Sequence, residues 1–236
     1  MPSQYESSAA FPANGWYPIE LSARVPRGEV VQSMLHGQEL ALWRSVAGTV
    51  QAWENRCPHR SVRLTLGFVV DDQLVCRYHG WRYGSDGRCT GVPSTPTHAP
   101  PPAACVRTYL CREADDVVWA SLALMPRGYP PRLPGLVACR SFTLDATIPQ
   151  VTDAIAAAGF GSDIHSAVWQ ERAGSLEAAT LLLQPADANT TCVHLFIDAE
   201  AATLPARRLA VAQRMKTLFA TCTASRRVIT EVAHAQ

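Results

Sequence analysis

The sequence predicts an α+β chain in which an all-β N-terminal part is followed by a shorter antiparallel sheet with a long C-terminal helix. Three observations carry this prediction. From Glu29 to Val75, short runs rich in β-branched and aromatic residues alternate with turn residues. The segment MPRGYPPRLPG at Met125–Gly135 then breaks the pattern with prolines and glycines. Beyond it, strand-like runs give way to a helical stretch from about Pro205 to His234.

The chain has 236 residues, enough for one large domain or two small ones, and its 47% hydrophobic content suffices for a packed core. A formal net charge of +1 gives no overall field to attract nucleic acid or an anionic membrane, so neither is an expected partner. The N-terminus lacks a basic stretch followed by an apolar one, and no later run has the roughly 20 apolar residues of a membrane span. A cytoplasmic protein is expected. The eight cysteines are spaced irregularly, unlike a secreted disulfide framework, and all but two are expected to be reduced thiols without a ligand role.

The runs EVVQSML, LALWRSV, TVQAWEN and LGFVV-DDQLVC read as antiparallel strands of a small sandwich, with Ser85-Asp86-Gly87 as a further turn. VPSTPTHAPPPAAC is too rich in proline for a central strand or a helix interior, and VRTYLCREADDVVWASL is expected to close the sheet behind it. After the break, SFTLDATI reads as a strand and PQVTDAIAAAG as a short helix with Pro149 at its first position. HSAVWQERA, LEAATLLLQ and TTCVHLFIDA read as three more strands before the long helix. The expected organisation is a first domain over 1–125, a linker over 126–135 and a second domain over 136–236.

The stretch from Cys57 to Trp81, CPHRSVRLTLGFVVDDQLVCRYHGW, holds two Cys/His pairs. Two thiolates and two imidazoles suit either one tetrahedral Zn²⁺ or a [2Fe-2S] cluster in which two histidines replace two cysteines on one iron. A Cys2His2 zinc finger groups its cysteines together and its histidines together, since a hairpin supplies one pair and a helix the other. Here each loop supplies one of each: Cys57 with His59, and Cys76 with His79. That order suits two hairpin loops that each give a Cys to a buried iron and a His to an outer one. Five arginines, Arg60, Arg63, Arg77, Arg82 and Arg88, crowd these loops. They form either a solvated basic surface or a docking face for an acidic electron donor or a partner's carboxylate beside the histidines.

CPHR and CRYHGWRY, with the downstream GRCTGVPS and the opening GWYPIEL, resemble the Rieske domain of Rieske non-haem iron oxygenases over about residues 15–122. The respiratory-chain Rieske protein fits less well, because Arg60 and Tyr78 stand near where its two disulfide cysteines would be. The resemblance implies a [2Fe-2S] cluster held by Cys57, His59, Cys76 and His79. It also implies a catalytic domain of helix-grip type, whose iron is held by two histidines and a carboxylate. The family's Asp/Glu-x-x-His-x(3–5)-His is absent after the linker: His165, His194 and His234 lie far apart, and Ser225 stands before Arg226-Arg227 where the family places an acidic ligand. The second domain is therefore expected to be a shortened relative without mononuclear iron. An atypical site made by Asp163, His165 and His194 is the alternative.

In the family, electrons pass from the Rieske cluster of one subunit to the catalytic iron of its neighbour. The resemblance thus implies an electron-transfer component of an oxidoreductase, served by a reductase or ferredoxin. It would be paired with a catalytic subunit in a hetero-oligomer, such as a ring of three. A complete mono-oxygenase or demethylase with unusual ligands, and a stand-alone Rieske ferredoxin, are the competing expectations.

Overall fold

The computed structural model describes residues 11–12, 14–171 and 178–233, with the backbone alone at 163–164 and 223–233. The chain divides into two compact units, one spanning Ala13–Pro130 and the other built from Pro131 onward with Phe11 and Pro12.

Ten strands make up the first unit: β1 (Tyr17–Leu21), β2 (Val30–Leu35), β3 (Gln38–Arg44), β4 (Val50–Glu54), β5 (Phe68–Val70), β6 (Gln73–Val75), β7 (Arg82–Tyr83), β8 (Cys89–Gly91), β9 (Thr108–Ala114) and β10 (Val117–Ser121). They form a six-stranded antiparallel sheet in the order β1-β10-β9-β4-β3-β2 and a four-stranded sheet in the order β5-β6-β7-β8. The edges β1 and β2 come together where Ser33 Oγ donates to Ile19 O at 2.7 Å, so the larger sheet is a nearly closed barrel. The strands thus form the expected antiparallel all-β domain, as a nearly closed barrel with a smaller sheet inserted between β4 and β9. The run at 106–122 is a hairpin, β9–β10.

Tight turns set the register of three hairpins. His36-Gly37, Asp71-Asp72 and Asp115-Asp116 each place two successive residues at positive φ, which matches the right-handed twist of the strands they join. Trp43, Trp53 and Trp119 are fully buried, and Trp43 and Trp53 pack against Leu74 and Tyr83 of the smaller sheet. Arg44 crosses from β3 to β9, where its guanidinium meets Glu113 at 2.7 and 2.8 Å and also donates to Val25 O and Gly48 O.

The second unit is a five-stranded antiparallel sheet, order β11-β15-β14-β13-β12, made of β11 (Leu136–Leu144), β12 (Phe160–His165), β13 (Val168–Glu171), β14 (Ala179–Pro185) and β15 (Thr191–Asp198). Its helices are α1 (Ile148–Ala157), α2 (Ala199–Ala202) and α3 (Pro205–Ala233). Thr147 caps α1 in a reciprocal box with Gln150, which puts Pro149 at the second helical position, one later than expected. Val211, Ala212, Met215, Phe219 and Cys222 form the buried stripe of α3, and Phe219 meets Phe142 of β11 at 5.1 Å between ring centroids. This is the helix on a sheet that the sequence predicts. The strand β12 is an addition: Gly161, Ser162 and Asp163 have low strand propensity, and the ladder with β13 anchors the strand at Phe160, Gly161 and His165, with an irregularity between the last two.

Candidate metal centre

Two loops of the same build carry the four predicted ligands. In the first, Cys57 N–H donates to Val62 O at 2.9 Å and Ser61 N–H donates to Cys57 O at 2.7 Å. In the second, Cys76 N–H donates to Trp81 O and Gly80 N–H donates to Cys76 O, both at 2.9 Å. Each loop turns back through a left-handed residue, Ser61 at φ 57° and Gly80 at φ 69°. The first loop continues β4 and the second continues β6. The hairpin β7–β8, closed by the turn through Gly87, supports the second from behind. Gly67 is required between the loops, since a Cβ there would lie 2.2 Å from Val75 O and 2.9 Å from Leu64 O.

The loops sort their ligands by depth. Cys57 and Cys76 are each only 2% exposed and belong to a core with Trp43, Trp53, Leu64, Leu74 and Tyr83. His59 and His79 are exposed, with their Nδ1 atoms 3.1 Å apart. Two nitrogens on one tetrahedral metal, each at ~2.0–2.1 Å, stand roughly 3.3 Å from one another, so the imidazoles are set to share an ion. Among the described residues no three His, Cys, Asp or Glu side chains gather about one point. A buried thiol pair beneath a separate imidazole pair does not suit a single tetrahedral ion. It does suit two irons, the inner held by sulfur and the outer by nitrogen.

Burial pushes the Cys76 thiol up, and the neighbouring Cys57 pushes the same way, while the amide N–H groups of Tyr78 and His79 favour its thiolate. Tyr83 Oη lies 3.1 Å from Cys57 Sγ. Burial, then the hydrogen bond to Cys57, raises the phenol far above its ordinary range. A metal-bound thiolate has no proton, so Tyr83 would be the donor of that bond. Both imidazoles are covered by aromatic rings: Trp81 stacks on His59 at 4.4 Å and 6°, and Tyr78 tilts over His79 at 3.9 Å and 37°. Local desolvation, then the charges of His79 and Arg60, lower the pKa of His59. Sequence reasoning missed the twin loop closure, the Tyr83 contact and the Trp81 stack. The only signal for them was the presence of aromatic residues within and just after the second loop.

The residues of the alternative iron site have other partners. His194 is buried on β15, with Nδ1 2.9 Å from Ser141 Oγ and Nε2 3.2 Å from Gln184 Oε1. His165 closes the β12–β13 turn, where its Nδ1 accepts from Ala167 N–H at 3.1 Å. The side chains of Asp163, Ser225, Arg226 and Arg227 lie outside the described residues, as does His234. Cys192 is half-buried, 3.8 Å from Thr143 Oγ1.

Comparison with known families matches residues 15–109 to the Rieske [2Fe-2S] domain. The chain carries a Rieske domain. This domain is 46% identical over 114 residues to the oxidoreductase NdmD of Pseudomonas putida, a match covering 48% of this chain and 19% of that protein. It is 39% identical over 110 residues to the oxygenase component of chloroacetanilide N-alkylformylase from Rhizorhabdus wittichii, covering 47% and 31%. The chain thus spans about a sixth to a third of the length of the curated relatives it matches. Among solved structures, dicamba monooxygenase bound to dicamba has the same fold, with a TM-score of 0.73 at 18% identity over 95% of this chain and 91% of that one. The likeness extends beyond the Rieske domain to the sheet and helices that follow it. No helix of the described residues is long and apolar enough to cross a membrane.

Proposed function

We propose that this chain is the electron-transfer subunit of a heteromeric Rieske non-haem iron oxygenase. In this reading Cys57 and Cys76 hold the inner iron of a [2Fe-2S] cluster and His59 and His79 the outer one. A reductase or ferredoxin supplies electrons, and the mononuclear iron that receives them belongs to a catalytic partner subunit. A cluster bound there supplies a one-electron relay, whose potential two neutral imidazoles raise relative to four thiolates. The observation that carries the reading is the sorting of ligands by depth: two thiols in the core, two exposed imidazoles 3.1 Å apart. The core around Trp43, Trp53 and Tyr83 keeps water from the sulfur side. The exposed edges of His59 and His79 give a short path outward. Placing the catalytic iron on a partner is supported by the bonding of His165 and His194 to neighbours within their own sheet.

The test is iron and acid-labile sulfide per chain in anaerobically purified protein, with an electron paramagnetic resonance spectrum after reduction. About two irons and two sulfides with a Rieske-type signal are expected. A third iron, with substrate-dependent oxygen uptake by the protein alone, would overturn the subunit reading and make this chain an oxygenase in itself. Zinc without sulfide would overturn the cluster.

A further inference from the structure

The two ligand loops are closed at the stem by different means. Below the second loop, Val75 of β6 and Arg82 of β7 face one another as a ladder pair, so Cys76 and His79 stand on a hairpin. The first loop has no such stem. Its entry strand β4 ends at Glu54, its exit runs into a 3-10 turn at Leu64–Leu66, and no strand pair joins its two sides among the described residues.

Side chains close the first loop instead. Asn55, two residues before Cys57 and only 4% exposed, accepts Thr65 N–H on its Oδ1 at 2.9 Å. Its own N–H donates to Glu39 O at 3.1 Å, and its Nδ2 lies 3.5 Å from Glu39 Oε2. The Glu39 carboxylate in turn accepts from Arg63, just past the loop, at 2.8 Å from Nε and 2.6 Å from Nη2. The strand β3, the entry of the loop and its exit are thus tied together. Of the five arginines around the loops, Arg63 and Arg88 alone meet a carboxylate among the described residues, Arg88 loosely, at 3.6 Å from Asp86. A polar recess of about 370 Å³ lies against the tie, lined also by Gly37, Glu54, Arg56 and Ser61. Hydrogen bonds rather than packing therefore hold this side of the loop.

We infer that Asn55 and the Glu39–Arg63 pair are positioning residues for the first-loop ligands, fixing Cys57 and His59 against the second loop. The inference rests on the Rieske reading and extends it to groups that do not touch the cluster. Partners outside the ligand set commonly orient the ligands and tune the metal they hold. Here the need is specific to one loop. A ladder fixes Cys76 and His79, whereas the tie sets where Cys57 leaves the barrel and so whether the His59 ring meets Trp81 and His79 across the gap. Asn55 is suited to the task because both ends of its amide are used: the oxygen takes a backbone donor that burial would otherwise orphan, and the nitrogen faces the carboxylate that holds Arg63.

The test uses the full chain as purified, with amide hydrogen exchange read by mass spectrometry and pulsed electron paramagnetic resonance of the reduced site. Arg63→Met removes the partner of Glu39 at an exposed position, and Asn55→Ala removes the acceptor of Thr65 N–H. In each, exchange over 57–62 should rise about tenfold or more while exchange over 76–81 stays within about twofold. One of the two imidazole nitrogen couplings should shift or spread and the other stay, because only His59 rides on the first loop. Arg63→Lys, which keeps the charge but not the paired contact, should fall between Arg63→Met and the unsubstituted protein. Arg44→Met is the control. Its contacts are with Glu113, Val25, Gly48 and Ser22, away from both ligand loops, so it should lower thermal stability and leave both readouts unchanged.

Exchange that does not change, or that rises equally in both loops, would overturn the positioning role and leave the cluster reading intact. So would unaltered nitrogen couplings with only a loss of thermal stability, the behaviour expected of Arg44→Met. Arg63→Met decides the matter if Asn55→Ala does not fold. An unsubstituted protein without a Rieske-type signal would sink the Rieske reading itself, and the exchange contrast between the loops would still show whether the tie closes the first one.

Discussion

Replacing Tyr83 by phenylalanine isolates one hydrogen bond in the ligand core. The side chain is fully buried, so the ring keeps its packing, and only the donor 3.1 Å from Cys57 Sγ is lost. Reduction adds one negative charge at the site, and a donor aimed at a ligand sulfur stabilises the reduced form more than the oxidised one. The variant should therefore have the lower reduction potential. A hydrogen bond to a charged group contributes ~1.5–3 kcal/mol. If roughly a third of that separates the two oxidation states, the difference is ~0.5–1 kcal/mol, or about 20–45 mV at 59 mV per tenfold for one electron. Redox titration monitored by circular dichroism, on wild type and variant with equal iron content, measures it. A change under about 5 mV, or an upward shift, would mean that Tyr83 does not donate to a cluster-bound sulfur and would refute the assignment.

Gly67→Ala should abolish iron binding or folding, because the new Cβ meets backbone at 2.2 Å on the strand that leads to Cys76; iron content and solubility report it. Trp81→Ala should shorten the lifetime of the bound cluster in air several-fold by freeing the His59 ring, while Trp81→Phe, which keeps a stacking partner, should restore most of it; bleaching of visible absorbance is the readout. Arg44→Met leaves Glu113 without its bidentate partner and should cost about 2–3 kcal/mol in urea unfolding, less than a fully buried pair because Glu113 is partly exposed. The double variant with Glu113→Leu should recover part of that loss. Arginine partners hold the carboxyls of Glu39, Glu113 and Glu171 below their usual 4.5. A group with a depressed folded pKa contributes stability that is fully present above its unfolded value and is lost as pH falls through the folded one. Thermal stability should therefore hold steady above about pH 5 and decline below about 4.5, with the decline smaller in Arg44→Met.

The candidate ligands stand out in the sequence because the pattern is local: each loop spans few residues and supplies one Cys and one His. The strand runs were legible for a similar reason, since alternation and β-branching act within a few residues. What escaped depends on distant partners. Glu39 and Arg63 lie in different elements, so the sequence could not separate the tied arginines around the ligand loops from the free ones. Twin closure of the loops was hidden because the left-handed position is glycine in one loop and Ser61 in the other. The strand β12 was invisible because its extended form comes from the ladder with β13 rather than from its own residues. His194 showed only as a histidine in an alternating strand. Its engagement by Ser141 and Gln184 appears once three strands lie side by side.

The placement of the cysteines ties folding to redox chemistry. Cys57 and Cys76 pack among Trp43, Trp53 and Tyr83, so the sulfur side of the site is part of the core that the larger and smaller sheets share. A negative centre in such surroundings is costly unless donors meet it. Those donors come from groups that also shape the loops: the phenol of Tyr83 and the amides of Tyr78 and His79. The imidazoles of His59 and His79 are exposed, and in the proposed reading that exposure would give an electron its way in or out. The dry sulfur side thus runs against ligand charge and depends on the phenol and amide donors. The order Cys-then-His in each loop is how one turn of chain reaches from one side to the other.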